Sequence, residues 1–395
     1  MLHPAQRLSD LRTSAIREMT RLALQHNAVN LAQGFPDFPP PPEVIAAARR
    51  ALAEGFNQYT ITWGIASLRA AISEKLQHWY GLDYDPERHI SVTCGVTEAI
   101  VVALLAVADP GDEVIILEPF HENYLPATLF AQARPVFVPL EPPAYALDLD
   151  RLAHAFSDRT RAIILNTPHN PTGRVFTRTE LNGVAALCRK YNALAITDEI
   201  YDHIIYADRE HVPIATLEGM YERTITCGGL GKTFALTGWR LGYVCAPEPF
   251  ATAMRTLRDF TTICAPAPLQ HAAVAALSLP ERFYTQLREE YTVRRQRMLD
   301  ILLRYGFTAQ PPEGAYYVMS DYRAWNFDGD CYAFVRWLVE KVGIAVVPGA
   351  SFYAQPEPGM TTVRWAFAKR PETFAETEAR LERWTIAQTL PISPI

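Results

Sequence analysis

Residues 226–243 read TCGGLGKTFALTGWRLGY, and the rest of the chain is read outward from this stretch. It sets one lysine, Lys232, in a loop of small residues, with Arg240 eight positions further on. A protonated lysine amine is a poor nucleophile, so a chain that uses one lowers its pKa by burial or by nearby positive charge. Arg240 can supply that charge and can also hold a phosphate. Gly228, Gly229 and Gly231 leave backbone amides open to a bulky anion, and Trp239 offers the next turn an apolar anchor. Lys232 thus reads as the covalent anchor of a phosphate-bearing cofactor. The ordinary alternative is a surface lysine in a glycine loop, and partners elsewhere in the chain decide between the two.

Around this stretch, short apolar segments alternate with helical ones, the signature of a doubly wound, mostly parallel α/β sheet. Seven strands are expected, at Ile90 to Thr93, Glu113 to Leu117, Arg134 to Val138, Ala162 to Asn166, Leu194 to Thr197, Thr224 to Thr226 and Arg240 to Cys245, in a wholly buried sheet. Helices are expected over Glu43 to Glu54, Ser67 to Tyr80, Thr97 to Ala108, Leu125 to Gln132 and Arg178 to Tyr191, with a further helical run after Pro247. A long charged helix around Phe283 to Tyr305 reads as a spine between domains. Beyond it, a smaller α+β module follows. The expected division is an N-terminal arm over 1–45, a large domain over 46–285 and a small C-terminal domain over 286–395. The arm contains GFPDFPPPPEV, whose five prolines forbid helix and regular sheet, so it must lie on something.

The chain has 395 residues, of which 49% are hydrophobic and 20% charged, enough for a large core and more than one domain. A net charge of -6 gives no basic footprint for nucleic acid and no polybasic patch for membranes. The longest apolar run, Ala99 to Ala108, is about half of the roughly 20 residues a spanning helix needs, and no signal peptide is evident. Six cysteines are scattered without C-x-x-C pairs or histidine clusters, which argues against disulfides and metal and suits a reducing cytoplasm. A small-molecule partner is expected.

Ligands of open α/β sheets bind beyond the carboxyl ends of the strands, and four motifs fall there. Gly95, Val96 and Thr97 open a helix whose free amides and dipole make an anion site. In LNTPHNPTG, Asn170 lies between a buried strand and a turn, where it could equally be a turn asparagine. In AITDEIYDHIIY, Asp198 ends an apolar strand three residues before Tyr201. A carboxylate buried there needs a cationic partner, or else it serves as a helix N-cap. The fourth motif is the lysine stretch itself. Its GKT resembles a nucleotide-binding P-loop, but the spacing G-x-x-x-x-G-K-[ST] demands glycine where Thr226 stands. A reactive lysine, a phosphate site, an aspartate for a ring nitrogen and an Asn/Tyr pair for a phenolic oxygen together match the needs of pyridoxal phosphate, the electron sink of much amino-acid chemistry.

With these residues in view, the chain resembles the class I aminotransferases of fold type I over essentially its whole length. Among these it is similar to the kynurenine/glutamine and methionine aminotransferases. The resemblance lies in VNLAQGFPDFPPPPEV, NQYT, LNTPHNPTGRVF, TDEIYDHI, GKTFALTGWRLGY, PPEGAYYVMSDY, VPGASFY and VRWAFAK. It implies Lys232 as the aldimine-forming residue, Asp198 at the ring nitrogen, Asn170 and Tyr201 at the phenolic oxygen and Arg240 at the phosphate. It also implies a homodimer in which Tyr59 reaches the phosphate of the other subunit. Arg364 would clamp the substrate α-carboxylate, a task suited to a planar fork, with the backbone of Gly34 beside it. The alternative for Arg364 is an edge-strand ion pair.

The chain departs from the family pattern twice. Gly229 stands where a serine usually donates to the phosphate, and a lost donor to a charged group costs roughly 1.5–3 kcal/mol. His121 stands where an aromatic side chain usually stacks on the cofactor ring, and histidine titrates near neutral pH. The implied activity is transfer of an amino group between a neutral or aromatic L-amino acid and a 2-oxo acid. Phe35, Tyr59 and Trp63 are the aromatic candidates for the substrate side chain, and no motif supplies a second arginine. A cysteine-conjugate β-lyase, or another reaction on the same cofactor such as oxidation or cyclisation, is the alternative that His121 and Gly229 motivate. A ligand-sensing module would need an attached DNA-binding segment, for which the residues before the arm are too few.

Overall fold

The structure, a computed structural model, describes residues 11, 13–206 and 209–389. After helix α1 (Ala15–Gln25) and the short strand β1 (Val29–Asn30), helices α2 (Pro42–Ala53) and α3 (Ala66–Tyr80) lead into the main sheet. That sheet comprises β2 (Ile90–Thr93), β3 (Glu113–Glu118), β4 (Arg134–Pro139), β5 (Thr160–Asn166), β6 (Leu194–Asp198), β7 (Thr224–Gly229) and β8 (Gly242–Cys245). Its order is β2-β8-β7-β6-β5-β3-β4, with β8 antiparallel to both neighbours and the remaining pairs parallel.

The alternation along the strands explains why both faces are covered. In β3, Val114 and Ile116 face a core with Ile100 and Leu104 of helix α4 (Val96–Val107), while Ile115 and Leu117 face one with Leu181 and Val184 of helix α7 (Arg178–Lys190). Sheets with helices on both sides require such continuous apolar strands. Helix α4 reads VTEAIVVALLAV, apolar nearly all round, and lies between the sheet and helix α8 (Glu248–Asp259). Helix α7 starts sharply because Thr177 and Glu180 form a reciprocal capping box.

Helix α5 (Tyr124–Phe130) follows β3, α6 (Leu149–Ala155) precedes β5, and α9 (Ala267–Leu277) packs on α2. Helix α10 (Glu281–Arg304) is the expected long charged helix, about 36 Å long. It buries Tyr284, Leu287, Tyr291, Met298, Ile301 and Leu302 and leaves its charges outside. A second sheet follows, in the order β12 (Val347–Pro348), β13 (Thr362–Ala366), β10 (Tyr317–Asp321), β9 (Thr308–Ala309), flanked by α11 (Cys331–Trp337) and α12 (Pro371–Thr389). The chain entering the proline-rich arm runs beside this sheet: Ala366 N–H of β13 donates to Leu31 O, Asp37 N–H donates to Ala368 O, and Leu31 N–H donates to Ala345 O in β11 (Ile344–Ala345), which pairs with β1 as a separate two-stranded sheet.

Four sequence expectations need correction. The last strand of the main sheet starts at Gly242 and not Arg240, because Arg240 adopts a left-handed conformation at φ 55°. The edge strand β4 is only partly buried, since nothing pairs with its outer side. Helix α6, capped by Asp148, is too short to show a period in sequence. No helix begins at Asp198, so it is not an N-cap. Among the described residues no helix is long and apolar enough to cross a membrane.

Candidate active site

The carboxyl ends of β2, β3, β5, β6 and β7, the arm and the second sheet enclose a cavity of about 940 Å³. Its lining includes Gly34, Gly95, Val96, Thr97, His121, Asn170, Asp198, Tyr201, Lys232, Arg240 and Arg364, so the structure brings most of the residues singled out from sequence into one cavity. Tyr59, which is 79% exposed, does not line the cavity of its own chain. Of the aromatic candidates, Phe35 lines the cavity. Trp63 does not: it lies under Arg255 and bonds Glu87.

One end of the cavity is built for an anion. Gly95 has φ 82°, and no side chain caps the first turn of α4, so its amides point outward unpaired by a cap. A Cβ at Gly95 would lie 2.5 Å from Arg240 Nη2, so the arginine approaches this turn only because a glycine is there. Arg240 has no carboxylate partner among the described residues, and Nη1 donates to Thr237 O at 3.0 Å. Of Gly228, Gly229 and Gly231, the glycines before the lysine, only Gly231 lines the cavity. Gly228 and Gly229 end β7, paired with Tyr243 and Gly242, and their missing side chains permit close packing. A Cβ at Gly229 would meet Ile200 Cδ1 at 2.6 Å and Val96 Cγ2 at 3.1 Å.

Lys232 Nζ donates to Gly34 O at 2.8 Å. Burial holds its pKa below the usual lysine value; Arg364 and Arg240 push the same way, against Tyr317 and Asp198. Asp198 ends β6, where Oδ2 accepts from Tyr124 Oη at 2.8 Å and Oδ1 from the Ile200 amide at 3.3 Å. Burial raises this carboxyl to about 6, and the tyrosine bond opposes the rise. Tyr201 Oη lies 3.0 Å from Tyr317 Oη, and burial pushes the Tyr201 phenol well above its usual value.

Arg364, on β13, is wholly buried. Nη1 donates to Asn170 Oδ1 at 2.8 Å and Nη2 to Ala32 O at 2.7 Å, its plane lies over the Tyr317 ring at 4.2 Å, and Nε has no partner. No carboxylate pairs with it among the described residues, so the edge-strand ion pair does not exist. A buried guanidinium faced only by neutral oxygens is a strong anion receptor. Asn170 is held by its own amide to Asn166 Oδ1 at 2.7 Å, and its Nδ2 lies 3.3 Å from His121 Nδ1. Burial, with Arg364 and Lys232 nearby, pushes His121 down to about 3, which favours the neutral ring.

Sequence reading missed Tyr124, Tyr317 and Arg17. Tyr124 and Tyr317 sit inside the quoted motifs or beside them, with no signal to separate them from core tyrosines. Arg17, on α1, lines the cavity mouth together with Glu122, to which Ser14 Oγ donates. A cation at this mouth was not expected.

The donor set fits pyridoxal phosphate: an uncapped helix N-terminus with an unpaired arginine for the phosphate, a depressed lysine for the aldehyde and a buried carboxylate for the ring nitrogen. The comparisons with known proteins agree. The family described as aminotransferase class I and II matches residues 26–375. A probable N-succinyldiaminopimelate aminotransferase of Mycobacterium tuberculosis is 39% identical over 95% of this chain and 97% of its own. Human kynurenine–oxoglutarate transaminase 1 is 34% identical over 97% of this chain and 98% of its own. A solved structure of the N-succinyldiaminopimelate aminotransferase from M. tuberculosis superposes with a TM-score of 0.94, covering 96% of this chain and 100% of that one.

Proposed function

The chain belongs to the class I and II aminotransferases, enzymes of amino-acid metabolism that use pyridoxal phosphate, and from that premise we propose that its amino donor is a large neutral or aromatic L-amino acid. The observation that carries this reading is Arg364, a wholly buried guanidinium without a carboxylate, opening on the same cavity as Lys232. It is the natural seat of a substrate α-carboxylate, with the Gly34 backbone beside it. Beyond it the cavity is lined by Phe35, Leu125, Leu129, Phe137 and Tyr353, which suit an apolar side chain.

Gly95, Val96, Thr97 and Arg240 would hold the cofactor phosphate, Asp198 the ring nitrogen, Asn170 and Tyr201 the phenolic oxygen, and His121 one face of the ring. When bound, the cofactor supplies the sink for electrons released at the substrate α-carbon. Lys232 Nζ, whose depressed pKa leaves more free amine than an ordinary lysine has, takes the proton from that carbon. Positioned proton transfer of this kind contributes about 10²- to 10⁴-fold. Tyr124 keeps Asp198 oriented and charged toward the ring, and Gly34 O holds the Lys232 amine in place between transfers.

We further place the enzyme in a homodimer, with the partner subunit's Tyr59 at the phosphate. Phe56, Tyr59, Ile61, Phe260 and Ile263 are exposed, and the two segments that carry them are joined where Thr62 bonds Asp259 and Arg258 bonds Thr62 O. Six unpaired cysteines suit the reducing cytoplasm.

The test is to give the cofactor-loaded enzyme single amino acids without any 2-oxo acid. One equivalent of new oxo acid per site, with loss of the cofactor's visible band, supports transamination and names the donor. Ammonia released over many turnovers would instead assign a lyase or oxidase.

A further inference from the structure

A second cavity, of about 440 Å³, opens on the other side of the loop after β6: Tyr201 lines the first cavity, and the next two residues, Asp202 and His203, line the second. Its wall is a buried polar cluster. Lys75 of α3 pairs with Asp202, which also accepts from Tyr80 Oη at 3.1 Å, and His211 Nε2 lies 2.9 Å from Glu199 Oε2. His203 sits edge-on to Trp79 with ring centroids 4.9 Å apart, and Tyr80 is edge-on to His211 at 5.4 Å. Two nitrogens of this wall are buried without a hydrogen bond, His203 Nε2, which lies 3.7 Å from Asp202 Oδ2, and His211 Nδ1, on residues only 7% and 5% exposed. Buried polar atoms are rarely left so.

The rim carries more positive than negative charge: Arg178, Arg209 and Arg288 line it beside one carboxylate, Glu210. Arg209 is held by Glu313, but Arg178 comes no nearer than 3.9 Å to Glu210, and Arg288 has no carboxylate partner among the described residues. The described residues contain no group of three histidine, cysteine, aspartate or glutamate side chains able to hold a metal. The volume lies in the range of small-molecule sites, which join apolar walls to a few convergent polar groups.

We propose that this cavity binds a small organic anion, its carboxylate or phosphate between Arg178 and Arg288 and its body against Trp79 and Tyr80. Occupation bears on the catalytic cavity through a single peptide, because the loop that presents Asp198 and Tyr201 to the cofactor also carries Asp202 and His203.

The experiment is calorimetric titration of the cofactor-loaded enzyme with phenyl phosphate and, separately, benzoate. The expected result is saturable binding at one site per chain, about tenfold weaker in Arg288→Ala. It is weaker again in the Arg178→Ala/Arg288→Ala double variant and unchanged in Arg282→Ala, a surface arginine of α10 outside the cavity. The tighter probe tells which oxyanion the site prefers. All three arginines are exposed, so the variants fold, which their melting temperatures check. No saturable heat with either probe overturns the proposal. So does binding that Arg288→Ala leaves intact and Arg364→Met removes, since that places the probe in the catalytic cavity.

Discussion

Arg364 Nη1 donates to Asn170 Oδ1 at 2.8 Å, so the guanidinium assigned to the substrate and the amide assigned to the cofactor form one unit across 194 residues of chain. The amide's other end lies 3.3 Å from His121 Nδ1. In the proposed roles, a carboxylate arriving at Arg364 acts on the same asparagine that would face the cofactor, which would link substrate binding to the ring environment without any moving part.

Because Arg364 has no carboxylate of its own, Arg364→Met removes a receptor and breaks no ion pair. Steady-state kinetics should show kcat/KM reduced by about 2–5 kcal/mol of transition-state binding, thirty- to several-thousand-fold, mostly through KM. The melting temperature should stay near wild type or rise. A large stability loss would mean that the arginine is structural.

Lys232→Ala should lower turnover by at least the 10²- to 10⁴-fold typical of a positioned proton carrier. Borohydride treatment of the loaded wild-type protein should fix the cofactor to the peptide containing Lys232. In the variant no peptide should be labelled, while the far-ultraviolet dichroism stays unchanged.

Asp198 predicts a pH effect with a definite sign. Its pKa is raised by burial from 3.8 to about 6, so the folded chain without cofactor holds this proton more tightly than the unfolded chain. Its contribution is fully present below about pH 4 and is lost as pH rises through 6, roughly 3 kcal/mol in all. Melting curves between pH 4 and 7.5 should show wild type losing stability relative to Asp198→Asn over that window. Adding the cofactor, which brings a cationic ring nitrogen, should remove the slope.

Gly229 and Ile200 predict a non-additive pair. Gly229→Ser alone places Cβ against Ile200 Cδ1, and overpacking of this kind costs about 1–3 kcal/mol. Ile200→Val removes the obstructing methyl. The double variant should regain stability and, with a hydroxyl available to the phosphate, bind the cofactor about tenfold more tightly in equilibrium dialysis. Equal affinity in the double variant and wild type would show that the existing amides already satisfy the phosphate.

Much of this molecule is legible in one dimension. The seven strands of the main sheet, the long spine helix and the residues at the strand ends follow from apolar runs, their breaks and the chemistry of a few side chains. Those signals are local: a strand needs only its own alternation, and Lys232, Asp198 and Asn170 stand out because polar groups at the ends of buried strands are costly unless used. The signals fail where a role depends on a distant neighbour. Gly228 and Gly229 look like an anion loop in sequence, but pairing with β8 turns them into packing residues. Trp63 looks like a substrate aromatic and is instead drawn to Arg255 and Glu87. Tyr124 gives no sign that it will meet Asp198, 74 residues on.

The sequence by itself determined the fold class and the family and singled out Lys232, Asp198, Asn170, Arg240 and Arg364, which the fold gathers around one cavity, because those rest on periodicity and on motifs within short windows. Only the tertiary structure decided that Arg364 lacks a counter-ion, that Ile200 occupies the space beside Gly229, that Arg17 stands at the mouth and that two histidines wall a second cavity. Each of these depends on which distant side chains share one small volume, and burial, electrostatics and packing act through space, not along the chain.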